Sequence, residues 1–178
     1  MTRTVYYVGS SLDGFIATAD HSLDWLVSRE NDEDGPMGFR GFLAGVGAMA
    51  FGATTYLWVR EHEPEWMPER PAWVFTHRDL TAPAGAPVTF TAADVEQVHA
   101  EMVAAAGGRD VWLVGGGDLV GQFADRGLLD EVVVAIAPVT LGAGAPLLPR
   151  RVELAVLESA RNGEFVCVRY AVRRDRAV

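Results

Sequence analysis

The stretch VWLVGGGDLVGQF, from Val111 to Phe123, contains an apolar run, three consecutive glycines and the start of an amphipathic segment, in that order. This order predicts a buried strand, a turn made of backbone alone and a helix that opens directly from the turn. Glycines can adopt positive φ and let a ligand approach the main chain closely. A helix N-terminus adds free N–H groups and a partial positive charge that suit a phosphate. Two interpretations follow, a phosphate-binding turn and a purely structural one.

The glycine spacing belongs to neither of the two best-known phosphate motifs. The interval from Gly115 to Gly121 misses the dinucleotide pattern GxGxxG, and no lysine follows as a Walker loop requires. The ligand of this turn, if it binds one, must therefore be identified from the rest of the chain.

Composition limits the classes of function. The 178 residues predict one domain over residues 1–178, long enough to bury a sizeable core. The formal net charge of −9 argues against nucleic acid as the main partner. All 15 basic residues are arginines, which excludes lysine Schiff-base chemistry and a lysine general base. Any anion must be bound by arginines, backbone N–H groups or hydroxyls.

Cysteine usage and the N-terminal residues bear on the compartment. Cys167 is the single cysteine, so disulfides within the chain and cysteine-rich metal sites are excluded, and we expect no metal. No apolar run approaches the length of a membrane span, and the N-terminus lacks a charged leader and a long apolar region. We expect a cytoplasmic protein that uses no membrane.

The pattern of elements predicts an α/β fold. Strand and helix patterns alternate over the first three-quarters of the chain, as in βαβ units, and Leu129 to Ala137 is typical of a central strand. Asn162-Gly163 lies between two alternating segments and predicts a hairpin with a type I′ turn. We expect three α/β/α layers around a mixed, mostly parallel central sheet, with an antiparallel C-terminal hairpin.

Two helix starts are predicted from local signals. Gly35-Pro36 favours a helix start, and the apolar residues from Met37 to Val46 then form one helical face. Thr91 begins a capping box with Asp94. Both helices would cover the sheet.

Three junctions at predicted strand ends carry small or hydroxylated residues that suit phosphate groups. They are Phe51 to Thr55, Phe75 to Arg78, and Gly115 to Gly117. Ligands of parallel sheets bind beyond the C-terminal ends of the strands. Three such junctions exceed the needs of a mononucleotide, whereas an extended dinucleotide would use them all.

Two of these junctions also have a simpler interpretation. Thr54 and Thr55 could serve as helix caps. Arg78 could be a solvated surface arginine, but beside Thr76 and His77 its guanidinium suits bidentate binding of a 2′-phosphate.

Several segments together resemble one known family. They are SLDGFIA (Ser11 to Ala17), FGATTY (Phe51 to Tyr56), VFTH (Val74 to His77), LVGGGDL (Leu113 to Leu119) and GLLDEVVVAIAPVTLGAGAPLLP (Gly127 to Pro149). In this order, from about Val5 to Pro149, they resemble the dihydrofolate reductase-like superfamily. The resemblance is closest to the reductase domain of the bifunctional riboflavin-biosynthesis deaminase-reductase and to its stand-alone relatives. It implies the dihydrofolate reductase-like fold and an NADPH-dependent reductase.

The resemblance also implies which residues bind NADPH. The nicotinamide would lie near Gly9, Ile16 and Ala17. The pyrophosphate would be bound from one side by Gly52, Thr54 and Thr55, and from the other by Gly115, Gly116, Gly117, Asp118 and Leu119. The adenosine 2′-phosphate would be bound by Thr76, His77 and Arg78. We expect the Asp118 carboxylate to point away from the cofactor or to bond backbone N–H groups, because it would otherwise repel a phosphate.

The resemblance identifies the residues that would bind the substrate less completely than those that would bind the cofactor. In dihydrofolate reductases a carboxylate on the helix before the FGATTY-type strand holds the pterin and helps its protonation. The equivalent place falls near Pro36, and Asp34 is the best candidate for a catalytic carboxylate here. A solvated acidic run that caps the helix is the alternative for Asp34. Asp13 is a second catalytic candidate, with a turn role as its alternative.

The expected reaction is hydride transfer from NADPH to a C=N or C=O bond of a small flat heterocycle. The substrate suggested by the resemblance is 5-amino-6-(5-phosphoribosylamino)uracil. Trp25 could stack on a planar substrate ring, and Arg40 or Arg150-Arg151 could bind a ribose phosphate. A dihydrofolate- or pterin-reductase-like enzyme and a non-catalytic NADPH-binding protein are the alternatives. The resemblance suggests a homodimer.

Overall fold

The computed structural model describes residues 1–63 and 69–174. Its central feature is an eight-stranded sheet with the strand order β5-β4-β3-β6-β1-β7-β10-β9. The sheet strands are β1 (Thr4–Ser11), β3 (Val46–Gly52), β4 (Ala72–Phe75), β5 (Val88–Thr91), β6 (Asp110–Gly115), β7 (Glu131–Ala137), β9 (Leu154–Asn162) and β10 (Phe165–Val172). The helices are α1 (Asp24–Val27), α2 (Phe39–Ala44), α3 (Ala53–His62), α4 (Val95–Ala105) and α5 (Gly117–Asp125).

The sheet is mixed and mostly parallel. The five contacts from β5 across to β7 are all parallel, whereas β10 pairs antiparallel with both β7 and β9. The fold prediction is therefore confirmed, including the antiparallel C-terminal hairpin. Parallel pairing brings the C-terminal ends of β1, β3, β4 and β6 to the same edge of the sheet.

Alternating side chains bury both faces of the central strands. Ala48 and Ala50 of β3 face one core with Leu113 of β6, and that core includes apolar residues of α4 and α5. Met49 and Phe51 face the opposite core with residues of α2 and α3. Because successive side chains of a strand point to opposite faces, a strand buried on both sides needs apolar residues at every position. This explains the unbroken apolar runs in the sequence.

A second, two-stranded sheet pairs β2 (Phe15–Ala17) with β8 (Ala145–Pro146) in antiparallel register. The Leu147 amide nitrogen also donates to the Gly14 carbonyl oxygen at 2.9 Å. This small sheet joins a segment after β1 to a segment after β7, so it ties two distant parts of the chain together.

The predicted helix from Gly35-Pro36 is wrong in its extent. Met37 has φ of 52°, and the helix begins only at Phe39. A turn precedes it, in which the Gly38 nitrogen donates to the Gly35 carbonyl oxygen at 2.9 Å. The helix ends at Ala44, and Val46 is fully buried as the first residue of β3.

Two further local predictions need correction. Asp94 is the N-cap of α4 and accepts from the Glu96 nitrogen at 2.9 Å, while Thr91 is the last residue of β5. The hairpin turn is shifted by one residue, because Asn162 pairs with Phe165 across the strands. Gly163 alone has positive φ, at 57°, which is the pattern of a type II′ turn.

No helix in the described part of the chain is long and apolar enough to cross a membrane.

Gly47 lies where β3 packs closely against the C-terminal end of α4. A Cβ atom on Gly47 would collide with the Ala106 carbonyl oxygen just after α4. We predict that Gly47→Ala destabilises the fold by about 1–3 kcal/mol, the usual cost of overpacking a core. Urea unfolding followed by circular dichroism measures the effect.

Gly41→Ala is the matched control for that variant. Gly41 is exposed within α2, and a Cβ there meets no atom within 4 Å. Alanine should therefore leave stability unchanged or raise it by roughly 0.5–1 kcal/mol, because it favours the helix over glycine. Equal effects of the two substitutions would contradict the packing argument.

Candidate functional site: a cleft at the C-terminal strand ends

A large cavity lies at the edge where the parallel strands end. Its volume is about 610 Å³. It is lined by residues from the ends of β1, β3, β4 and β6 and from the helices that follow them, among them Gly9, Gly52, Phe75 and Gly116. This is the place where open α/β sheets bind ligands.

Two helices open into this cavity from their N-terminal ends. The N-cap of α3 is Gly52, and that of α5 is Gly116; neither makes a side-chain capping hydrogen bond. The residues of both first turns, from Ala53 to Thr55 and from Gly117 to Leu119, line the cavity. Two uncapped helix ends therefore direct N–H groups and partial positive charge toward one space.

Glycine allows these two helix starts to meet. A Cβ on Gly52 would lie 3.4 Å from the Gly116 nitrogen, which is tighter than most real Cβ contacts. Gly115 has φ of 123°, a conformation that favours glycine, and the Gly115–Gly116 peptide bond is cis. A Cβ on Gly117 would collide with the carbonyl oxygens of Pro146 and Leu147. A side chain at Gly117 would displace the start of α5, and one at Gly115 would strain the backbone.

The structure brings most of the predicted cofactor residues together. Those that line the 610 Å³ cavity are Gly9, Ile16, Ala17, Gly52, Thr54, Thr55, Gly116, Gly117, Asp118 and Leu119. Gly115 is buried directly behind them, at the end of β6. Thr76, His77 and Arg78 lie beyond the cavity wall, immediately after Phe75, which is part of it. His77 and Arg78 are exposed.

The Asp118 carboxylate has a partner that the sequence did not suggest. Its oxygens accept from Arg150 at 3.0 Å and from Gln122 at 3.2 Å, and the side chain is 70% exposed. Arg150 also contacts Asp125 at 3.0 Å. Arg150 therefore offsets the negative charge at the start of α5, where a phosphate would otherwise be repelled.

Tyrosine hydroxyls fix two segments beside the cleft. The buried Tyr6 hydroxyl donates to the Leu147 carbonyl oxygen at 3.0 Å, and burial raises its pKa well above the ordinary range. The Tyr7 hydroxyl donates to the Met37 carbonyl oxygen at 3.0 Å, and burial raises its pKa to about 12. Both hydroxyls remain protonated donors at neutral pH, so they act as structural anchors rather than as acids.

A second cavity of about 390 Å³ adjoins the first. The two share wall residues Tyr7, Gly9, Leu26, Phe39, Trp58 and Trp112. Leu26 packs so closely on Gly9 that a Cβ on the glycine would lie 2.6 Å from Leu26 Cδ1. The two cavities therefore lie side by side and share a wall at Gly9 and Leu26, and together they are called the cleft below.

The predicted catalytic and substrate residues lie outside these two cavities. Asp34 forms an exposed ion pair with Arg40 at 2.8 Å and belongs to a separate surface hollow. Trp25 packs against a small core at the start of β10, and its indole nitrogen donates to the Ser22 carbonyl oxygen at 3.2 Å. The structure does not bring these residues together at the two cavities, and their roles in binding or reducing a substrate stay predictions.

Asp13 binds the backbone of a distant loop. Its carboxylate accepts from the nitrogens of Leu141, at 3.0 and 3.1 Å, and Gly142, at 2.7 Å, as well as from the Ser11 hydroxyl at 2.7 Å. These hydrogen bonds, the one from Ser11 foremost, lower the pKa of Asp13 to about 2. The loop leads into Ala145 and Pro146 of the cavity wall. Asp13 thus holds in place a segment that shapes the cleft.

Sequence reasoning missed the aromatic walls of the cleft. Trp58 lies four residues after Thr54 on α3, so both occupy the face that turns toward the cavity. Trp112 alternates with Val111 and Leu113 and therefore faces the α2 side of the sheet. Helical and strand periodicity were the signals that could have placed both rings beside the glycine turns. No cluster of three or more potential metal-ligating side chains occurs within residues 1–63 and 69–174.

Comparisons with known proteins agree with this architecture. The family model described as the RibD C-terminal domain matches residues 4–163. The chain is 31% identical to the uncharacterized protein YwjB of Bacillus subtilis over 180 residues, covering 94% of this chain and 97% of that protein. These matches extend over most of the described fold, including the whole glycine-lined cleft.

Two solved structures share the fold. A protein from Shewanella sp. PV-4, provisionally assigned to riboflavin biosynthesis, superposes with a TM-score of 0.82 at 25% identity, covering 97% of this chain and 99% of that one. Dihydrofolate reductase from Enterococcus faecalis, solved with NADP(H), superposes with a TM-score of 0.59 at 14% identity, covering 98% and 97%. The second likeness concerns the fold alone and establishes it as dihydrofolate reductase-like.

The Asp13 contacts generate a prediction about pH. Because the folded pKa is depressed, the charged carboxylate stabilises the fold above the unfolded pKa near 4, and this contribution is lost as the pH falls toward about 2. Asp13→Asn should lower the thermal midpoint at pH 7, and the difference from wild type should shrink steadily below pH 4. Scanning calorimetry between pH 7 and pH 3 measures it.

Asp79→Asn serves as the control, since Asp79 is exposed and makes no hydrogen bond or ion pair within the described residues. It should leave the midpoint unchanged at every pH. A deficit in Asp13→Asn that stays constant from pH 7 to pH 3 would contradict the role assigned to the charge.

Proposed function

The chain belongs to the family of the RibD C-terminal domain, and we propose that it is an NADPH-dependent reductase of a small flat heterocycle. Membership of this family supports an oxidoreductase of the riboflavin-reductase type. A ribosylaminopyrimidine is the first substrate class to test. The observation that carries the proposal is the pair of uncapped helix N-termini, at Gly52 and Gly116, that open into one cavity.

The proposed cofactor position follows the cavity walls. The diphosphate would receive hydrogen bonds from the first turns of α3 and α5, because these N–H groups have no intrahelical acceptor. The Thr55 hydroxyl lies beside the same point, 4.0 Å from where a Cβ on Gly115 or Gly116 would be. The nicotinamide would extend toward Gly9, Ile16 and Ala17, where the two cavities join.

The 2′-phosphate would lie at Thr76, His77 and Arg78. The Arg78 guanidinium makes no hydrogen bond or ion pair within the described residues, so it is free to bind an anion. The Thr76 hydroxyl accepts from the Arg78 nitrogen at 2.9 Å, which fixes the turn after β4. A free guanidinium on a fixed turn suits bidentate phosphate binding.

When bound, the reduced nicotinamide supplies a hydride to the carbon of a C=N or C=O bond, while a proton from water goes to the heteroatom and NADP⁺ is left. The protein contributes alignment. The aromatic walls at Trp58 and Trp112, beside Gly9, orient the two reactants. Placing two reactants in one orientation can provide much of a rate enhancement without an acid or base.

A protein that binds NADPH without turnover is the second candidate. The specific observation in its favour is the position of Asp13 and Asp34, the two predicted catalytic carboxylates, outside both cavities. The decisive assay is loss of NADPH absorbance with 5-amino-6-(ribosylamino)uracil, its 5′-phosphate and dihydrofolate in parallel. Turnover of any of them supports the reductase, whereas binding of NADPH with no turnover of any supports the second candidate.

Arg78→Ala tests the proposed 2′-phosphate site. Removing the guanidinium should weaken the binding of NADPH by roughly 1.5–3 kcal/mol, the usual contribution of a hydrogen bond to a charged group. The affinity for NADH should stay unchanged. Titrations followed by tryptophan fluorescence measure both dissociation constants.

Arg109→Ala is the matched control. Arg109 is exposed at the start of β6, the opposite end of the strand from the cleft. It should affect neither cofactor. If Arg78→Ala weakened the binding of NADPH and NADH equally, the assignment of Arg78 to the 2′-phosphate site would be wrong.

A further inference from the structure

The second cavity lies where a substrate would meet the nicotinamide. It shares Gly9 with the first cavity and continues away from the glycine turns toward the start of β10. Its chemistry therefore decides what kind of ring can be reduced. This inference rests on the proposed function, because it assigns the second cavity to the substrate.

The walls of the second cavity are mostly aromatic or aliphatic. The rings that line it belong to Tyr7, Phe39, Trp58, Trp112 and Phe165, with Leu26, Val27, Met37 and Ala135 completing the apolar surface. Phe39 and Trp112 hold each other at a ring separation of 5.5 Å. Walls of this kind favour a flat, apolar ring system and do not stabilise an ionised group.

No arginine lines either cavity within residues 1–63 and 69–174. Residues 64–68 contain no arginine, Arg176 lies outside the described residues, and the chain has no lysine. A phosphate on the substrate would therefore find no arginine or lysine on the described wall of the cleft, and His21 lines the first cavity alone of the two. A phosphate removed from water without a cation or hydrogen-bond donors is strongly disfavoured.

Arg29, Arg40, Arg150 and Arg151 already have acidic partners. Arg40 contacts Glu33 at 3.1 Å and Asp34 at 2.8 Å, and Arg29 contacts Glu164 at 3.0 Å. Recruiting either one for a phosphate would break these contacts. Arg150 and Arg151 are likewise engaged, with Asp118 at 3.0 Å and with Glu153 at 3.0 Å.

Asp32 and Asn162, two polar residues of the second cavity, also disfavour an anion. Asp32 belongs to its wall and carries a negative charge. The buried Asn162 uses its amide on the neighbouring loop: its oxygen accepts from the Asp32 nitrogen at 2.7 Å, and its nitrogen donates to the carbonyl oxygens of Asp32 and Pro36 at 2.8 and 3.1 Å. Helix α2 has six residues and offers no substitute for a cation.

From these observations we infer that the substrate is a flat heterocycle that carries no phosphate. The first cavity binds phosphate through backbone N–H groups that the cofactor occupies, and the second cavity provides aromatic surface without a cation. A ribosylaminopyrimidine would then be accepted as the free nucleoside and not as its 5′-phosphate.

The test uses the full-length protein and matched pairs of ligands. NADP⁺ is first titrated into the protein, and its binding is followed by intrinsic tryptophan fluorescence, since Trp58 and Trp112 line both cavities. The NADP⁺-loaded protein is then titrated with 5-amino-6-(ribosylamino)uracil, uridine and neopterin, each beside its own phosphate ester. At least one unphosphorylated member should bind, and its ester should bind at least about tenfold more weakly, which corresponds to 1.4 kcal/mol.

The outcomes separate this inference from the proposed function. If NADP⁺ does not bind, the proposed function itself fails. If NADP⁺ binds but an ester binds as tightly as its parent or more tightly, or no unphosphorylated member binds, the inference is overturned while the cofactor site stands.

Asp32→Asn tests the electrostatic part separately. The asparagine keeps an oxygen that can accept from the Asp34 nitrogen, as Asp32 does at 3.0 Å, but removes the charge. In this variant the tenfold difference in affinity between the nucleoside and its phosphate ester should become several-fold smaller, because the repelling charge is gone. Glu101→Gln, an exposed substitution on α4, should leave the difference unchanged. An unchanged difference in Asp32→Asn would overturn the role of the wall carboxylate.

Discussion

Two helix N-termini without side-chain caps meet at one point of the sheet, and the rest of the cleft is arranged around that meeting. Helices α3 and α5 follow the adjacent strands β3 and β6, so parallel pairing brings their first turns side by side. Gly52 packs against the Gly116 backbone at this point, and Gly117 has no room for a Cβ beside Pro146 and Leu147. A side chain at Gly117 would displace the start of α5 and its N–H groups, which favour an anion.

The same constraint positions the walls. Gly117 packs on the carbonyl oxygens of Pro146 and Leu147, which places the small sheet of β2 and β8 against α5. Asp13 holds the loop before β8, and the Tyr6 hydroxyl holds Leu147 after it. A segment of the chain that comes after β7 is thereby held beside the helix that follows β6. The cleft is an outcome of backbone packing, with side chains fixing its edges.

The sequence predicted those features that depend on local patterns. Apolar runs gave the strands of a parallel sheet, and the glycines at 52 and 115–117 predicted two backbone turns at its edge. Contacts between residues far apart in the sequence could not be predicted from such local patterns. The loop bound by Asp13 lies about 130 residues away, and Gly163 of the hairpin turn packs against the distant Glu30 carbonyl oxygen. The partner of Asp118 was also missed, since Arg150 approaches α5 only in the folded chain.

The two halves of the cleft have opposite chemistry. One half presents backbone N–H groups at the starts of two helices, whereas the other presents aromatic rings and a carboxylate. Since every basic residue is an arginine and Arg40 and Arg150 are paired with acids, we propose that phosphate recognition falls to the backbone half and to Arg78. The proposed reductase would thus bind a doubly charged diphosphate and an uncharged ring in adjacent cavities.

The most direct test of this account is a crystal structure with NADP⁺ bound. The account predicts that the diphosphate oxygens lie within hydrogen-bonding distance, about 2.7–3.2 Å, of backbone nitrogens in the first turns of both α3 and α5. The nicotinamide should then lie against Gly9. A diphosphate bound elsewhere, with both helix N-termini facing solvent, would contradict the account.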